Sequence, residues 1–452
     1  WQSLRFAWLP HLNPFFFEVF FGLNQQILIW RTAYLGLVAL SAFALLTVKV
    51  KTRQREGKLW SAGGIPRREF LRWFLFSAAG VIMFLSVTNI LTYEVAPIPL
   101  LWVIPLCIYL ASFILNFKQK PWCPKWITNK FYLTLSCSVV IFFLTLRKFL
   151  PFTLLSVAYC LLLFNLCMFC QHNLYKSKPQ DLRQLPLFFF FFSFGGFVGG
   201  FITTWIMPVI FVSFLEYLLG LVLITFAFAL GAKREPIGWR NIRFILYTAA
   251  VLILWPLVFK NYNFFGVIFL FLLFQWSYRR LSRNPAALSL GVLLILCIIP
   301  FIDLAWMQVN SINIYRHRNY YGIYRVYYER GVVSLIHGTT LHGAQFTDKK
   351  REKEAVAYYH PHTPVGGLLG STNLPLKNIG VIGLGSGGLA AYGRLGEEFD
   401  YFEIDPSVSF IAREIFTYIK NSPAKFNFIF GDARIKIKEA PDKRYDMLIV
   451  DA

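Results

Sequence analysis

One stretch of the sequence decides the fold of its C-terminal part: Ile379-Gly380-Val381-Ile382-Gly383-Leu384-Gly385-Ser386-Gly387-Gly388. Apolar residues run into glycines with GxGxxG spacing, which predicts a β-strand, a tight turn and a helix. Glycine lets the backbone approach a ligand closely, and the N-terminus of a helix attracts negative charge. The pattern alone leaves three interpretations open: a dinucleotide site, an S-adenosylmethionine site, or a plain tight turn.

Carboxylates follow this stretch at the ends of further predicted strands. We predict strands, with helices between them, at 378–384, 400–405, 426–431 and 445–450. This is a doubly wound, Rossmann-like α/β layout, and ligands of such sheets bind at the carboxyl ends of the strands. Glu403 follows the glycines at the spacing of a ribose-binding carboxylate, Asp432 is placed to accept from an adenine amino group, and Asp451 ends the fourth strand. The alternative for Asp432 and Asp451 is an ordinary turn or cap role.

The region before the glycines alternates polar and apolar residues. Residues 322–327 and 332–336, separated by Glu329-Arg330-Gly331, predict a β-hairpin unit. We therefore assign 308–375 as a β-hairpin lead-in and 376–452 as a nucleoside-binding half-domain. The chain stops just as the fourth strand reaches Asp451, so we expect this half-domain to be C-terminally truncated.

The first two-thirds of the chain are strongly apolar. Of the 452 residues, 56% are hydrophobic and only 15% are charged, whereas an ordinary soluble domain is nearer a quarter charged. Apolar runs of about 20 residues are long enough to cross a bilayer as helices. We predict a polytopic transmembrane region over 1–307, with about ten helices at 30–48, 70–92, 97–117, 131–147, 149–170, 186–207, 208–230, 244–259, 263–277 and 286–307.

The net charge of +22 first suggests a nucleic-acid partner. However, residues 1–307 hold 27 Lys and Arg against 8 Asp and Glu, whereas residues 308–452 hold 18 against 15. The excess lies in the apolar region, where a nucleic-acid surface is hard to build, so we expect no nucleic-acid partner.

The basic residues instead predict the orientation of the membrane region. Alternate loops at 49–72, 118–130, 176–183, 233–243 and 279–283 carry 22 of them, and the opposite loops carry three. The positive-inside rule places the first set in the cytoplasm. Nine spans then follow the loop 49–72, and an odd number puts the C-terminal domain outside the cytoplasm, although S-adenosylmethionine is made inside cells. Two interpretations stay open: one span is miscounted, or the domain is exported and uses another ligand.

Small and polar residues within the apolar runs carry further expectations. The overlapping glycine pairs in 195–200 predict close helix packing, with a substrate passage as the alternative. Glu216 lies in an apolar run, where carboxylates are costly and often functional, so a transport role is considered for it. Cys167 and Cys170 have the spacing of a redox or metal pair but sit in a hydrophobic helix. We interpret them as small buried residues and expect no metal.

Several longer runs carry a family resemblance. In the membrane region the run is 92–106, and in the soluble region the runs are 337–345 (His337-Gly338-Thr339-Thr340-Leu341-His342-Gly343-Ala344-Gln345), 358–360, 383–388, 402–406 and 445–452. Residues from about 315 onward resemble the aminopropyltransferases, or spermidine synthases. The whole chain resembles bacterial proteins in which a membrane region of major-facilitator type is fused to a spermidine-synthase-like domain.

The resemblance implies an S-adenosylmethionine-dependent methyltransferase-type fold and a set of site residues. Decarboxylated S-adenosylmethionine would be held by Gly383, Gly385, Ser386, Gly387, Glu403 at the ribose, Asp432 at the adenine, and His360 on the nucleoside side. The amine pocket would include Tyr359 and Gln345, and Asp451 would accept the proton. The implied activity is aminopropyl transfer to a polyamine such as putrescine, by a multi-pass protein of the bacterial inner membrane, in contact with the lipid bilayer.

This sequence also differs from the family. Ser386 stands where spermidine synthases usually have an acidic residue, which indicates a donor or acceptor other than the usual one. A second substrate carboxylate of the family would lie beyond Ala452, so we expect this chain by itself to be inactive. Two alternatives stay open: a transporter whose domain binds a nucleoside or polyamine as a regulator, and a methyltransferase-like enzyme using intact S-adenosylmethionine. A homodimer is a further option.

Overall fold

The computed structural model divides the chain into two compact units, Trp1–Ser61 and Ala62–Ala452. The structure describes residues 23–47, 65–94, 101–146, 151–231, 238–258, 313–338, 340–371, 375–439 and 445–451, with seven single positions between 272 and 294. The predicted spans at 263–277 and 286–307 therefore lie largely outside the described residues. In the first unit the structure describes one helix, α1 (Leu23–Thr47), whose apolar side chains, such as Leu35 and Leu40, are exposed.

The second unit begins with a bundle of apolar helices. These are α2 (Arg67–Glu94), α3 (Val103–Phe117), α4 (Lys125–Asn129), α5 (Phe131–Leu146), α6 (Phe152–Lys176), α7 (Leu185–Phe201), α8 (Met207–Ile210), α9 (Glu216–Gly231) and α10 (Trp239–Val258). A π-helical turn, Ile202–Ile206, joins α7 to α8. Among the described residues, three stretches are long and apolar enough to cross a membrane: Arg67–Tyr93, Thr153–Lys176 and Leu185–Ile210. This finding indicates association with a membrane.

Helix α2 lies at the centre of the bundle, and α7 packs closely against it. A Cβ atom on Gly199 would lie 2.5 Å from the carbonyl oxygen of Ala78, and one on Gly195 would clash with the carbonyl oxygen of Phe74. The predicted close packing is thus confirmed at the pair Gly195 and Gly199, because only glycine leaves room there for the backbone of α2. Cys167 is fully buried in the same core, as its interpretation as a small buried residue predicts.

A four-stranded antiparallel sheet follows the bundle. Its strands, in spatial order, are β1 (Asn313–Asn319), β2 (Gly322–Glu329), β3 (Val332–His337) and β4 (Thr340–Phe346). The predicted hairpin is confirmed, and Arg330 (φ 49°) and Gly331 (φ 83°) form its two-residue turn. The sheet meets the helix bundle at the end of α2, where the hydroxyl of Tyr93 donates to the carbonyl oxygen of Tyr320 at 2.9 Å.

A parallel sheet completes the unit. Its strands are β5 (Asn378–Ile382), β6 (Glu398–Glu403), β7 (Lys425–Phe430) and β8 (Met447–Val450), arranged in the order β7-β6-β5-β8. All four predicted strands are present, with ends within two residues of the expected positions. Short helices accompany them: α11 (Pro364–Gly370), α12 (Pro406–Phe410), α13 (Tyr418–Asn421) and α14 (Ala433–Glu439). Buried apolar residues such as Val381, Phe399 and Phe416 form the core of this part.

The helix predicted directly after the glycine stretch is shorter than expected. It is a single 3₁₀ turn, Gly388–Tyr392. Gly387 adopts a left-handed conformation (φ 75°) before the turn, and the backbone becomes extended at Gly393 (φ −63°, ψ 134°) after it. These two conformations limit the helical segment to five residues.

Candidate functional site

A cavity of about 520 Å³ lies at the carboxyl ends of β5, β6 and β8. One wall belongs to the parallel sheet, the other to the antiparallel sheet and the segment before α11. Among its lining residues are Gly383, Leu384, Gly385, Glu403, Val450 and Asp451 on the first side, and Tyr321, Tyr324, His337, His342, Tyr358 and Tyr359 on the second. The glycine loop and two of the three predicted strand-end carboxylates therefore share one cavity.

The glycines let neighbouring elements close onto the loop. Gly385 is left-handed (φ 56°), and a Cβ atom on it would lie 2.6 Å from the carbonyl oxygen of His342 in β4. A Cβ atom on Gly388 would lie 2.6 Å from the ring of Tyr359. The glycine pattern thus packs the antiparallel sheet and Tyr359 against the loop, which forms the cavity wall.

Glu403 is held rigidly at the end of β6 by two backbone hydrogen bonds. Its Oε2 accepts from the N–H of Leu384 at 3.1 Å, and its Oε1 accepts from the N–H of Asp405 at 2.9 Å. The residue is 8% exposed, and burial raises the pKa of its carboxyl in spite of these hydrogen bonds. A carboxylate has about four acceptor sites, so the backbone hydrogen bonds still leave Glu403 able to accept from a ligand hydroxyl.

Asp451 and Tyr359 form a hydrogen-bonded pair in the cavity. The hydroxyl of Tyr359 donates to Oδ2 of Asp451, and the hydroxyl of Tyr392 donates to the carbonyl oxygen of Tyr359. Burial, and next the hydrogen bond to Asp451, raise the pKa of Tyr359, so this phenol stays a donor. Oδ1 of Asp451 is the oxygen that this pairing leaves to meet a cation or to accept a proton.

Two other predicted site residues lie apart from the lining of this cavity in the described part of the chain. Oδ1 of Asp432 accepts from the N–H of Arg434 at 2.9 Å at the start of α14, the cap role considered as its alternative. His360 is exposed, and its Nδ1 accepts from the N–H of His362 at 3.2 Å.

Gln345 and Ser386 are buried outside the cavity lining. Nε2 of Gln345 donates to Oγ1 of Thr417 at 2.7 Å, and Oε1 of Gln345 accepts from the backbone N–H of Thr417 at 2.9 Å. These two hydrogen bonds connect β4 to the start of α13. The Oγ of Ser386 lies against Gly343 and has no hydrogen-bond partner among the described residues. Gln345, predicted to contact the substrate, thus connects two elements and lies outside the lining of this cavity.

The antiparallel sheet contributes cavity residues that the sequence reasoning missed. The ring of His337 stacks on Tyr324, with centroids 4.6 Å apart, and its Nε2 lies 3.0 Å from the carbonyl oxygen of Tyr321. Desolvation, and next the neighbouring His337, lower the pKa of His342, whereas Asp451 raises it. Both histidines lie in the run 337–345, from which the sequence argument took only Gln345.

Chemically, the site combines a fixed hydroxyl acceptor, a carboxylate for a cation and several aromatic rings suited to stacking.

A scan against protein-family models and a search of curated proteins find no match for the chain.

Proposed function

We propose that this protein is a membrane-anchored, spermidine-synthase-like enzyme that transfers an aminopropyl group from decarboxylated S-adenosylmethionine to a polyamine such as putrescine. The observation that carries the proposal is the shared cavity of the glycine loop, Glu403, Tyr359 and Asp451. The strand order β7-β6-β5-β8 supports a Rossmann-like assignment, because the chain reverses its winding beside β5 and open α/β sheets bind ligands at such a point.

The chemistry requires an acceptor for one proton. A polyamine nitrogen is protonated at pH 7 and cannot attack until it loses that proton. The neutral amine then attacks the carbon beside the sulfonium: the new C–N bond forms, the C–S bond breaks, and the sulfur takes the bonding pair and leaves as 5′-methylthioadenosine. Asp451 attracts the cationic amine and accepts its proton, while Tyr359 fixes the carboxylate through Oδ2.

Calorimetry on the detergent-solubilised chain tests the proposal. We expect decarboxylated S-adenosylmethionine to bind more tightly than the intact form, and Glu403→Gln to weaken it roughly tenfold or more, since hydrogen bonds to charged groups contribute about 1.5–3 kcal/mol. Asp451→Asn is expected to keep nucleoside binding and to lose putrescine binding. If neither sulfonium binds, the enzyme proposal is wrong; a preference for the intact form favours the methyltransferase-like alternative.

As a second candidate, we propose that the membrane region has about ten spans and that the cavity lies outside the cytoplasm. In that case its ligand is not decarboxylated S-adenosylmethionine, which is made inside cells. The course of the helices supports this side. Helix α2 begins with Arg67 and Arg68, which belong to the basic stretch 49–72 of the sequence, and it reaches Tyr93, which contacts the antiparallel sheet. Helix α9 runs from Glu216, which contacts the same sheet, to Gly231, which lies against the guanidinium of Arg72. The basic residues that begin α2 and the cavity domain are therefore at opposite ends of the bundle, and the positive-inside rule puts the basic end in the cytoplasm.

A further inference from the structure

Strand β1 touches both the helix bundle and the parallel sheet through two adjacent residues. Successive side chains of a strand point to opposite faces, so Arg318 and Asn319 point in opposite directions. Nη2 of Arg318 lies 2.6 Å from Oε1 of Glu216, and its Nη1 lies 3.0 Å from Oε2. Both side chains are buried, at 3% and 0% exposure. Glu216, the carboxylate considered for a transport role, thus forms a bidentate ion pair with Arg318 of the antiparallel sheet.

Asn319 makes the corresponding contact on the other face. Its Nδ2 donates to Oδ2 of Asp405 at 2.5 Å and to Oγ of Ser407 at 3.1 Å. Asp405 is buried and caps α12, because its Oδ1 accepts from the N–H of Ser407 at 2.8 Å. The N–H of Asp405 in turn donates to Oε1 of Glu403. One chain of hydrogen bonds therefore leads from Asn319 to the carboxylate in the cavity.

We propose that Asn319 is a positioning residue for Glu403 and that the Glu216–Arg318 ion pair holds Asn319 in place. Through these contacts, the helix bundle sets the affinity of the cavity for a ligand that carries ribose hydroxyls. The inference rests on the proposed function in one respect, the ribose role of Glu403. Oε1 of Glu403 accepts from the N–H of Asp405, so a shift of Asp405 moves a donor that orients this carboxylate. Breaking the ion pair leaves β1 free to shift and removes that control.

The test measures discrimination rather than affinity alone. The probes are 5′-methylthioadenosine and its 2′-deoxy analogue, titrated into the detergent-solubilised chain. The wild type is expected to prefer the first probe roughly 10- to 100-fold, as for one hydrogen bond to a charged group. Asn319→Ala and Glu216→Gln are each expected to reduce this preference at least fivefold, while the affinity for the deoxy probe changes less than threefold. A purely structural role would weaken both probes equally.

Arg316→Gln is the matched control. Arg316 lies on the same strand and donates to Oγ of Ser213 at 3.1 Å at the same junction. We expect it to keep the wild-type preference. The inference is overturned if Glu403→Gln abolishes the preference while Asn319→Ala and Glu216→Gln preserve it. It is also overturned if Asn319→Ala and Glu216→Gln weaken the binding of both probes equally. If the wild type binds neither probe, the proposed function itself fails, and the inference fails with it.

Discussion

Among the single residues, Glu403 is the one on which the proposed ligand binding depends most. Its carboxylate is fixed by the N–H groups of Leu384 and Asp405 and is largely removed from solvent. Burial favours the neutral form and hydrogen bonds to the carboxylate favour the charged form, and here burial has the larger effect on the pKa. As the pH falls, the carboxylate of Glu403 therefore becomes protonated at a higher pH than that of an exposed glutamate.

We predict that binding of 5′-methylthioadenosine weakens on acidification, with a midpoint above the ordinary glutamate pKa of 4.5. The ionised carboxylate is the better hydroxyl acceptor, so affinity falls as the pH drops through the raised pKa of Glu403. The effect on stability has the opposite sign: a raised pKa in the folded state favours folding at low pH, and this contribution is lost as the pH rises through that pKa. Titrations from pH 8 to about one unit below the ordinary glutamate pKa check the binding, and Glu403→Gln should remove the dependence. A midpoint at or below 4.5 would contradict the prediction.

At the scale of elements, the contact between α2 and α7 is set by backbone approach. Gly199 faces the backbone of α2, whereas Gly200, one position further on, faces side chains: a Cβ atom on it would lie 3.8 Å from Cγ1 of Val81, an ordinary contact distance. The two glycines therefore share a sequence environment but differ in what surrounds them.

This difference predicts opposite results for two alanine substitutions. Gly199→Ala is expected to destabilise the chain by about 1–3 kcal/mol, because the new methyl group forces the two helix backbones apart. Gly200→Ala is expected to be neutral or slightly stabilising, since alanine favours a helix by about 1 kcal/mol over glycine. Thermal unfolding in detergent compares the two. Equal destabilisation by both variants would mean that the α2–α7 contact does not depend on the face that Gly199 presents.

At the scale of the whole molecule, the second unit has a polarity along its bundle. Arg67, Arg68 and Arg72 lie at one end of α2, and the antiparallel sheet, with the cavity behind it, lies at the other. The buried Glu216–Arg318 pair joins the two regions, which makes the sheet an extension of the bundle. A removed partner at such a site leaves a buried charge unpaired and is strongly destabilising.

The orientation predicts which lysines an impermeant reagent reaches. We expect Lys377, exposed at the start of β5, to be labelled by a membrane-impermeant amine reagent in intact spheroplasts. Lys120, exposed after α3 in a basic loop, is the control and should be labelled only after lysis. Peptide mass spectrometry distinguishes the two sites. Labelling of Lys120 but not Lys377 in intact spheroplasts would place the cavity in the cytoplasm.

The sequence by itself determined the local features of this protein: the four strands of the parallel sheet, to within two residues at each end, the hairpin turn at Gly331, and the pairing of the glycine loop with Glu403. These follow from side-chain periodicity and glycine spacing, which act over a few residues or one β-turn-β unit. Only the tertiary structure decided that Gln345 connects two elements, that Asp432 and His360 lie outside the cavity lining, and that Arg318 and Asn319 link Glu216 to Asp405. Those contacts join residues 72 to 102 positions apart. The choice of partner across such a separation depends on how whole sheets and helices pack against one another. A local sequence pattern does not contain that information.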